Sequence, residues 1–488
     1  RERPPVLPSR MDERRTTGVL YCQDARFTRN TAAGWPHVRA IRVLMGRGLT
    51  VRSSHSYIVH AGNETVELGT VPLAPDGSFA VEVPADAAIA FQAVDAEGRS
   101  ELNEMSWIFV RPGESRGCVG CHAVRQTAPP AAGRMPLAMR SRPLRLTAEG
   151  EPHRFRGNNP AVTGLTELQF DRFREVAGLN RAAASVGELV GRLRSAEPAA
   201  RVAAANRLAL ARDAAAAPAL AQSLADSWRE ARVAAALALA ACGTRDSVSA
   251  LAPLAADGDP AVRQAVRLAL ENLTGQPGTQ DWSAWLRGAD WAGVEAGLAR
   301  RLAGADRDDV RRAAVALGHV GRGEAARAAL RETLARLRDD TAYVAWRKSR
   351  QGDNAKFLAS DPVNPRAVQE VARAIGRLSD ASAVPLLAET LKRHADPDAG
   401  NLFLAEAAAE ALGLIATREA EAALIDTFVQ LKPYPKFTNW YGDHPALMAC
   451  HASPVHLRIV EALDAMGATN APALVPHLIR CVPTDFDR

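Results

Sequence analysis

The sequence is short of lysine, of cysteine and of long apolar runs, and each shortage excludes something. Only five of its 60 basic residues are lysine (Lys348, Lys356, Lys392, Lys432 and Lys436), and the arginines alternate with acids along helical segments. The net charge of +5 and the pI near 9.0 therefore describe solvated helix faces, and no nucleic-acid partner is expected. No run of about 18 uncharged apolar residues occurs, so no membrane span is expected in this chain. Six cysteines in 488 residues (Cys22, Cys118, Cys121, Cys242, Cys450 and Cys481), with one close pair, do not form a disulfide framework. Cys242, in "LALAACGTRD", ends an apolar helical face and is expected to pack as a small hydrophobe. The opening "RERPPVLPSR" has no Met and no apolar core of a signal peptide. A fragment or processed form is expected, so the missing signal says nothing about export.

Two unlike halves follow. Beyond a tail over residues 1–16, short runs rich in Val, Ile and aromatics read as strands: "GVLYCQD", "VRAIRVLMG", "SYIVHAG", "ETVELGTVPL", "SFAVEVPA", "IAFQAVDAEG" and "MSWIFVRPG". In "LAPDGSFAVEV" the Asp76-Gly77 pair signals a hairpin turn, after which Phe79, Val81 and Val83 alternate with polar or small neighbours. A small β-sandwich over 17–122 is predicted. Frequent Pro and Gly over 123–165 exclude long helices and regular sheet, so this stretch reads as a linker, or a strap lying over something.

Over 166–488 Ala, Leu, Arg and Glu dominate and the apolar spacing becomes helical. "ARVAAANRLALA", "ARVAAALALAACG" and "AVRQAVRLALENLTG" superpose with Arg201, Arg232 and Arg263 in one column, at steps of 31 residues. "DVRRAAVALGHVG" brings Arg311 into the column after an insert around "QPGTQDWSAWLRGADWA". Each unit supplies two short helices that cannot bury their apolar stripes alone, so neighbours must stack. An α-solenoid resembling HEAT repeats is predicted. Its Ala and Gly residues allow close helix approach, and the turns "AEPAAR" and "GDPAVR" start second helices.

The sharpest motif is "RGCVGCHAV", which holds Cys118, Cys121 and His122. A Cys-x-x-Cys-His string would arise by chance ~0.002 times in a chain of this composition, which weighs against accident and leaves a cofactor-free loop the least favoured reading. In one reading, Cys118 and Cys121 form thioethers to a haem, the next residue swings its imidazole beneath the iron, and Gly117 and Gly120 permit the tight backbone path. A zinc reading lacks a second Cys-x-x-Cys to complete four ligands. A redox dithiol prefers the start of a helix in a βαβ setting, whereas this motif follows strands and precedes prolines. An overlapping Gly113-Glu114-Ser115-Arg116-Gly117 matches a hydrolase nucleophile elbow, a pattern loose enough to carry little on its own.

The stretch from "GTVPLAPDGSFAVEVPA" through "PGESRGCVGCHA" resembles the haem-bearing C-terminal module of the hydrazine synthase alpha-subunit-like family, over roughly residues 17–145. The resemblance implies one haem c, attached at Cys118 and Cys121, with His122 as iron ligand. That family's upstream propeller and further haem domain have no counterpart here, and the C-terminal repeats depart from it, so hydrazine synthesis itself is not implied. Candidates for the other face of the iron are Met135, Met139 and His153 in the strap and His55 and His60 in the sandwich, with Met135 favoured because a loop soon after the attachment site can cross the macrocycle. Near the end, His444, Met448, Cys450, His451 and His456 hold potential zinc or haem ligands, although a loop of the final repeats in which His456 opens a helix accounts for them more simply.

Fold class and function then read as a multidomain α and β chain: a β-sandwich with a c-type haem loop, then an α-solenoid. An exported, periplasmic or otherwise extracytoplasmic electron carrier is expected, with the solenoid docking a redox partner protein. The alternatives are the tail of a larger multihaem oxidoreductase, in which the haem is catalytic, and a pure interaction scaffold. No acid or base is arranged for catalysis, so an electron carrier or an oxidoreductase subunit is expected rather than a self-sufficient enzyme.

Overall fold

The computed structural model describes residues 11–28, 37–47, 64–103, 107–121, 135–147, 185–277, 281–339, 366–396, 400–431 and 454–468. The chain forms two compact units. The first comprises 1–272 and 276–287, the second 273–275 and 288–488. The boundary thus falls within the repeats, and the strands share a unit with the first helices.

Among the described residues, eight strands build two four-stranded sheets. β1 (Thr17–Cys22), β4 (Phe79–Pro84), β7 (Ser115–Cys118) and β8 (Leu144–Arg145) form one, in the order β7-β1-β4-β8. β2 (Ala40–Arg47), β3 (Glu64–Pro72), β5 (Ile89–Val94) and β6 (Ser100–Asn103) form the other, in the order β3-β2-β5-β6. Leu20, Cys22, Val81 and Val83 from the first sheet and Ile41, Val43, Ile89 and Phe91 from the second are all buried. Phe79 and Phe91 meet edge to face between the sheets, with ring centroids 5.3 Å apart. The Asp76-Gly77 turn forms, with Gly77 at φ +82°, but it does not close a hairpin. It carries the chain from β3 in one sheet to β4 in the other. "MSWIFVRPG" is not a strand in its described part: Ile108 makes a single bridge to Ile89, and pairing with β1 passes instead to Ser115–Cys118.

The first described helices are α1 (Val186–Arg192), α2 (Pro198–Ala211), α3 (Ala217–Ser223), α4 (Arg229–Cys242), α5 (Arg245–Leu251) and α6 (Pro260–Thr274). The arginine column has one repeated job. Arg201 Nη1 donates to the Ser195 carbonyl at 2.9 Å, Arg232 Nη1 to that of Asp226 at 2.9 Å, and Arg263 Nη1 to that of Asp257. Each guanidinium reaches back six residues and satisfies a carbonyl that the turn leaves without a helical partner. Cys242 is buried on α4, with its thiol 3.2 Å from the Ala238 carbonyl. In the insert, α7 (Trp282–Gly288) buries Trp282 edge to face with Trp285, at 5.7 Å between centroids.

Within this unit the Pro/Gly-rich strap is clamped rather than loose where it is described. β8 pairs in parallel with β4, and the Arg145 amide donates to Glu230 Oε1 at 3.1 Å. Arg229 donates to the carbonyls of Arg142 (3.1 Å) and Pro143 (2.7 Å). Gly69, at φ +148° where β3 bulges, lets Leu146 and Asn206 approach. Arg229→Ala is therefore expected to destabilise the first unit by about 2 kcal/mol, the scale of lost charge-assisted hydrogen bonds, the one to the Pro143 carbonyl being half-buried. Urea melts of the full chain would show it; an unmoved midpoint would mean that the clamp contributes nothing.

The second unit, a helical stack of its own, holds α8 (Trp291–Leu302), α9 (Arg307–Val320), α10 (Glu324–Leu337), α11 (Arg366–Arg377), α12 (Val384–His394), α13 (Leu402–Ile415), α14 (Arg418–Gln430) and α15 (Pro454–Ala465). Its core is mostly Ala and Leu with some Val and Ile, and its helices touch through glycine. A Cβ built on Gly318 would lie 3.0 Å from Ala374 Cα, one on Gly376 2.6 Å from Ala411 Cα, and one on Gly413 2.7 Å from Ala462 Cβ. His319 lies in the last turn of α9. Among the described residues no helix is long and apolar enough to cross a membrane.

Candidate functional site

β7 lies at the open edge of its sheet, parallel to β1, with Leu20 opposite Arg116 and Cys22 opposite Cys118. Its sequence, "SRGC", has no apolar alternation and every residue of it is exposed. Pairing with β1 and an anchor at Arg116 hold it in place: that guanidinium donates to the Phe109 carbonyl at 2.7 Å and stacks over the Phe109 ring. The elbow reading of Ser115 fails here, because Ser115 opens a strand where an elbow needs a turn into a helix.

After Cys118 the chain turns along the end of β1. The Gln23 amide donates to the Cys118 carbonyl at 3.0 Å and the Asp24 amide to that of Val119 at 3.2 Å. Both glycines of the motif are pressed against neighbours. A Cβ at Gly117 would overlap the Tyr21 ring, and one at Gly120 would run into the Phe27 carbonyl oxygen. The backbone is thereby fixed with both motif sulfurs at one hollow, lined by Cys22, Phe79, Phe91, Ala93, Cys118, Gly120 and Cys121.

Cys118 is exposed, Cys121 half-buried and Cys22 only 1% exposed. Burial above all, then the nearness of Cys121 and Cys118, pushes the Cys22 thiol well above its ordinary value, so it stays protonated at neutral pH. Sequence reasoning brought Cys118 and Cys121 together and missed Cys22. Only the parallel register of two strands far apart in the chain reveals it. His122 lies outside the described residues, as do His55, His60 and His153.

The strap returns to this same end of the sandwich. Asp76 accepts from the Ser78 hydroxyl (2.6 Å) and the Leu137 amide (2.8 Å), and Ser78 Oγ accepts from the Ala138 amide at 3.0 Å. Burial pulls the Asp76 carboxyl up, but these bonds outweigh it and hold the group below the usual carboxylate range. On its other side the same turn gives the Gly77 carbonyl to the Ala25 amide, three residues beyond Cys22. Met135, just before the anchored turn Leu137–Arg140, is 61% exposed and does not line the hollow; Met139 is half-buried within that turn.

Of the C-terminal cluster, His444, Met448, Cys450 and His451 lie outside the described residues. His456 is buried in the first turn of α15, edge to face with Phe428 at 5.2 Å. Among the described residues no three His, Cys, Asp or Glu side chains are grouped to hold a metal ion. His394, also buried, accepts the Asn401 amide at Nδ1. Burial lowers both histidines below the ordinary value of 6.5.

The unfolded chain therefore takes up protons below that value which the folded second unit refuses, until the lower folded-state value is passed. Its stability is full above pH 6.5 and is lost as pH falls below it, by at most about 1.4 kcal/mol per pH unit for each histidine. Glu406, raised by burial, acts oppositely at lower pH. Melting temperatures measured between about pH 7.5 and 5.5 should fall, and His456→Phe should flatten the slope. An unchanged slope in that variant would refute the assignment.

Residues 39–123 match the family model of the hydrazine synthase alpha subunit middle domain, and residues 186–271 match that of HEAT repeats. The first match contains the whole cysteine-histidine motif. The chain is thus a segment similar to that middle domain joined to HEAT repeats, as the motif resemblance implies. No curated protein matches it. Among solved structures, hydrazine synthase of Kuenenia stuttgartiensis is 17% identical at a TM-score of 0.22, over 26% of this chain and 20% of that one. Human deoxyhypusine hydroxylase is 20% identical at 0.24, over 61% and 90%. The CpcE–CpcF phycocyanin lyase complex of Nostoc is 19% identical at 0.22, over 58% and 95%. The chain therefore spans about a fifth of the hydrazine synthase chain it resembles. A middle-domain-like segment carrying HEAT repeats fits a scaffold or an oxidoreductase subunit, and the repeats point to protein interaction.

Proposed function

We propose that the chain is an exported c-type cytochrome whose sandwich carries one haem c and whose solenoid docks a redox partner protein. The observation that supports it is the hollow at the end of β7, where Cys118 and Cys121 face an apolar wall of Phe79, Phe91 and Ala93. The two thiols, held in one tight loop, suit thioether bonds, while Phe79, Phe91 and Ala93, at 2%, 8% and 3% exposure, close the floor of the hollow beneath them. In this reading Cys118 and Cys121 would hold the haem and His122 would ligate its iron, with Met135, exposed on the strap pinned at Asp76, the candidate for a second ligand. The group would supply one-electron transfer. The protein's part is to fix the sulfurs, keep water from the apolar wall and present the exposed edge of β7 to a partner. Covalent haem attachment is made outside the cytoplasm, so the reading includes a periplasmic or other extracytoplasmic location.

The test is expression of the full chain with a haem-maturation system, followed by mass spectrometry of the tryptic peptide 117–125. Covalent porphyrin mass on that peptide and a red, reducible protein are expected. A colourless product with both cysteines open to alkylation would end the haem reading. A second reading, a catalytic haem within a larger multihaem oxidoreductase, is favoured by the family match over 39–123. A low-spin iron indifferent to carbon monoxide, turned high-spin by Met135→Ala, supports the carrier; a high-spin, ligand-binding iron in the unaltered chain supports the enzyme.

A further inference from the structure

Cys22 has no part in that reading, yet it lines the hollow beside both motif cysteines. It ends β1 in direct register with Cys118 on the parallel neighbour β7. Adjacent strands lie about 4.8 Å apart, within the roughly 4.4–6.8 Å that Cα atoms of a disulfide span. Register partners on neighbouring strands send their side chains to one face of a sheet, and both residues line the same hollow. Cys121 lies beyond the end of β7, where the strand register stops, although it too is near enough to Cys22 to raise its thiol.

We propose that Cys22 and Cys118 are a thiol–disulfide pair, closed by a disulfide oxidant of the glutathione class whenever Cys118 carries no porphyrin. Exposure divides the labour. The exposed Cys118 thiolate attacks the oxidant's disulfide, forming a mixed disulfide and expelling one thiol. Buried Cys22 then loses its proton to solvent and attacks Cys118 Sγ, expelling the second thiol. Two protein thiols are oxidised and one small disulfide is reduced to two thiols. The closed pair withholds one attachment sulfur, so porphyrin loading requires a reductant. That consequence rests on the haem reading; the pairing does not.

The experiment uses the full chain produced without haem maturation and incubated with oxidised glutathione. Remaining thiols are capped with N-ethylmaleimide before trypsin. The expected major product is the peptide Thr16–Arg26 linked to Gly117–Arg125, with fragment ions placing the bond at Cys118 and the cap on Cys121. A closed loop inside Gly117–Arg125, a bond from Cys22 to Cys121, or capped thiols at all three positions would each overturn the proposal. A chain that yields the linked peptide but never takes porphyrin keeps the pair and loses the haem reading. A chain that takes porphyrin but never forms the link does the reverse.

Discussion

Gly120→Ala is expected to cost the first unit about 3 kcal/mol, the upper range for forcing an added carbon into a packed site, and to abolish covalent haem attachment although both cysteines remain. The added carbon would collide with the Phe27 carbonyl oxygen and lie 3.1 Å from that of Asp24, both backbone atoms. Backbone can yield only if the Gln23 and Asp24 amides give up their bonds to Cys118 and Val119. Gly117→Ala meets only the outer ring atoms of Tyr21, a side chain that can swing away, so its cost should be under about 1.5 kcal/mol and attachment should survive. Denaturant melts and haem staining of the two variants side by side provide the check. Equal effects would show that the loop is not held against β1, and the geometry proposed for the sulfurs would fall with it.

The difference between those two glycines was not readable in the sequence, which shows only that glycine flanks each cysteine. The same limit recurs across the molecule. The arginine column was legible because its spacing repeats, but its role was not, since each partner is a backbone carbonyl that no residue type marks. Asp76-Gly77 was legible as a turn. That its two strands enter different sheets depends on what β1 and β2 pair with, which is long-range information. β7 escaped notice because an exposed edge strand of four residues without β-branched side chains has neither alternation nor propensity. Leu144–Arg145 is too short for any periodicity, and its place beside β4 is fixed by Glu230 from a helix far along the chain. Cys118 and Cys121 were found because their chemistry is local. Cys22 was hidden because its relation to them exists only in the parallel register.

Among the helices the sign of a substitution, rather than its size, discriminates. In an open helix, glycine to alanine is stabilising by up to about 1 kcal/mol, because it removes backbone freedom from the unfolded chain. Gly191 on α1 has nothing within 4 Å of a built Cβ, so Gly191→Ala should raise stability by that order. Gly376 on α11 should behave oppositely. Its added carbon would meet Ala411 Cα at 2.6 Å and the Ala411 carbonyl oxygen at 3.1 Å, so α11 and α13 would have to separate. Neither helix can move alone, because α11 also bears on α9 through Gly318 and Ala374, and α13 on α15 through Gly413 and Ala462. Overpacking at such a contact costs about 1–3 kcal/mol for alanine and more for valine, and in a stack held by nearest neighbours the loss spreads to adjoining repeats. Gly376→Val should therefore unfold the second unit at lower denaturant while the strands and first repeats melt as before, splitting the transition in two. A Gly376→Ala chain more stable than the parent would mean that the helices are not in contact at glycine, and the close-packed stack would have to be abandoned.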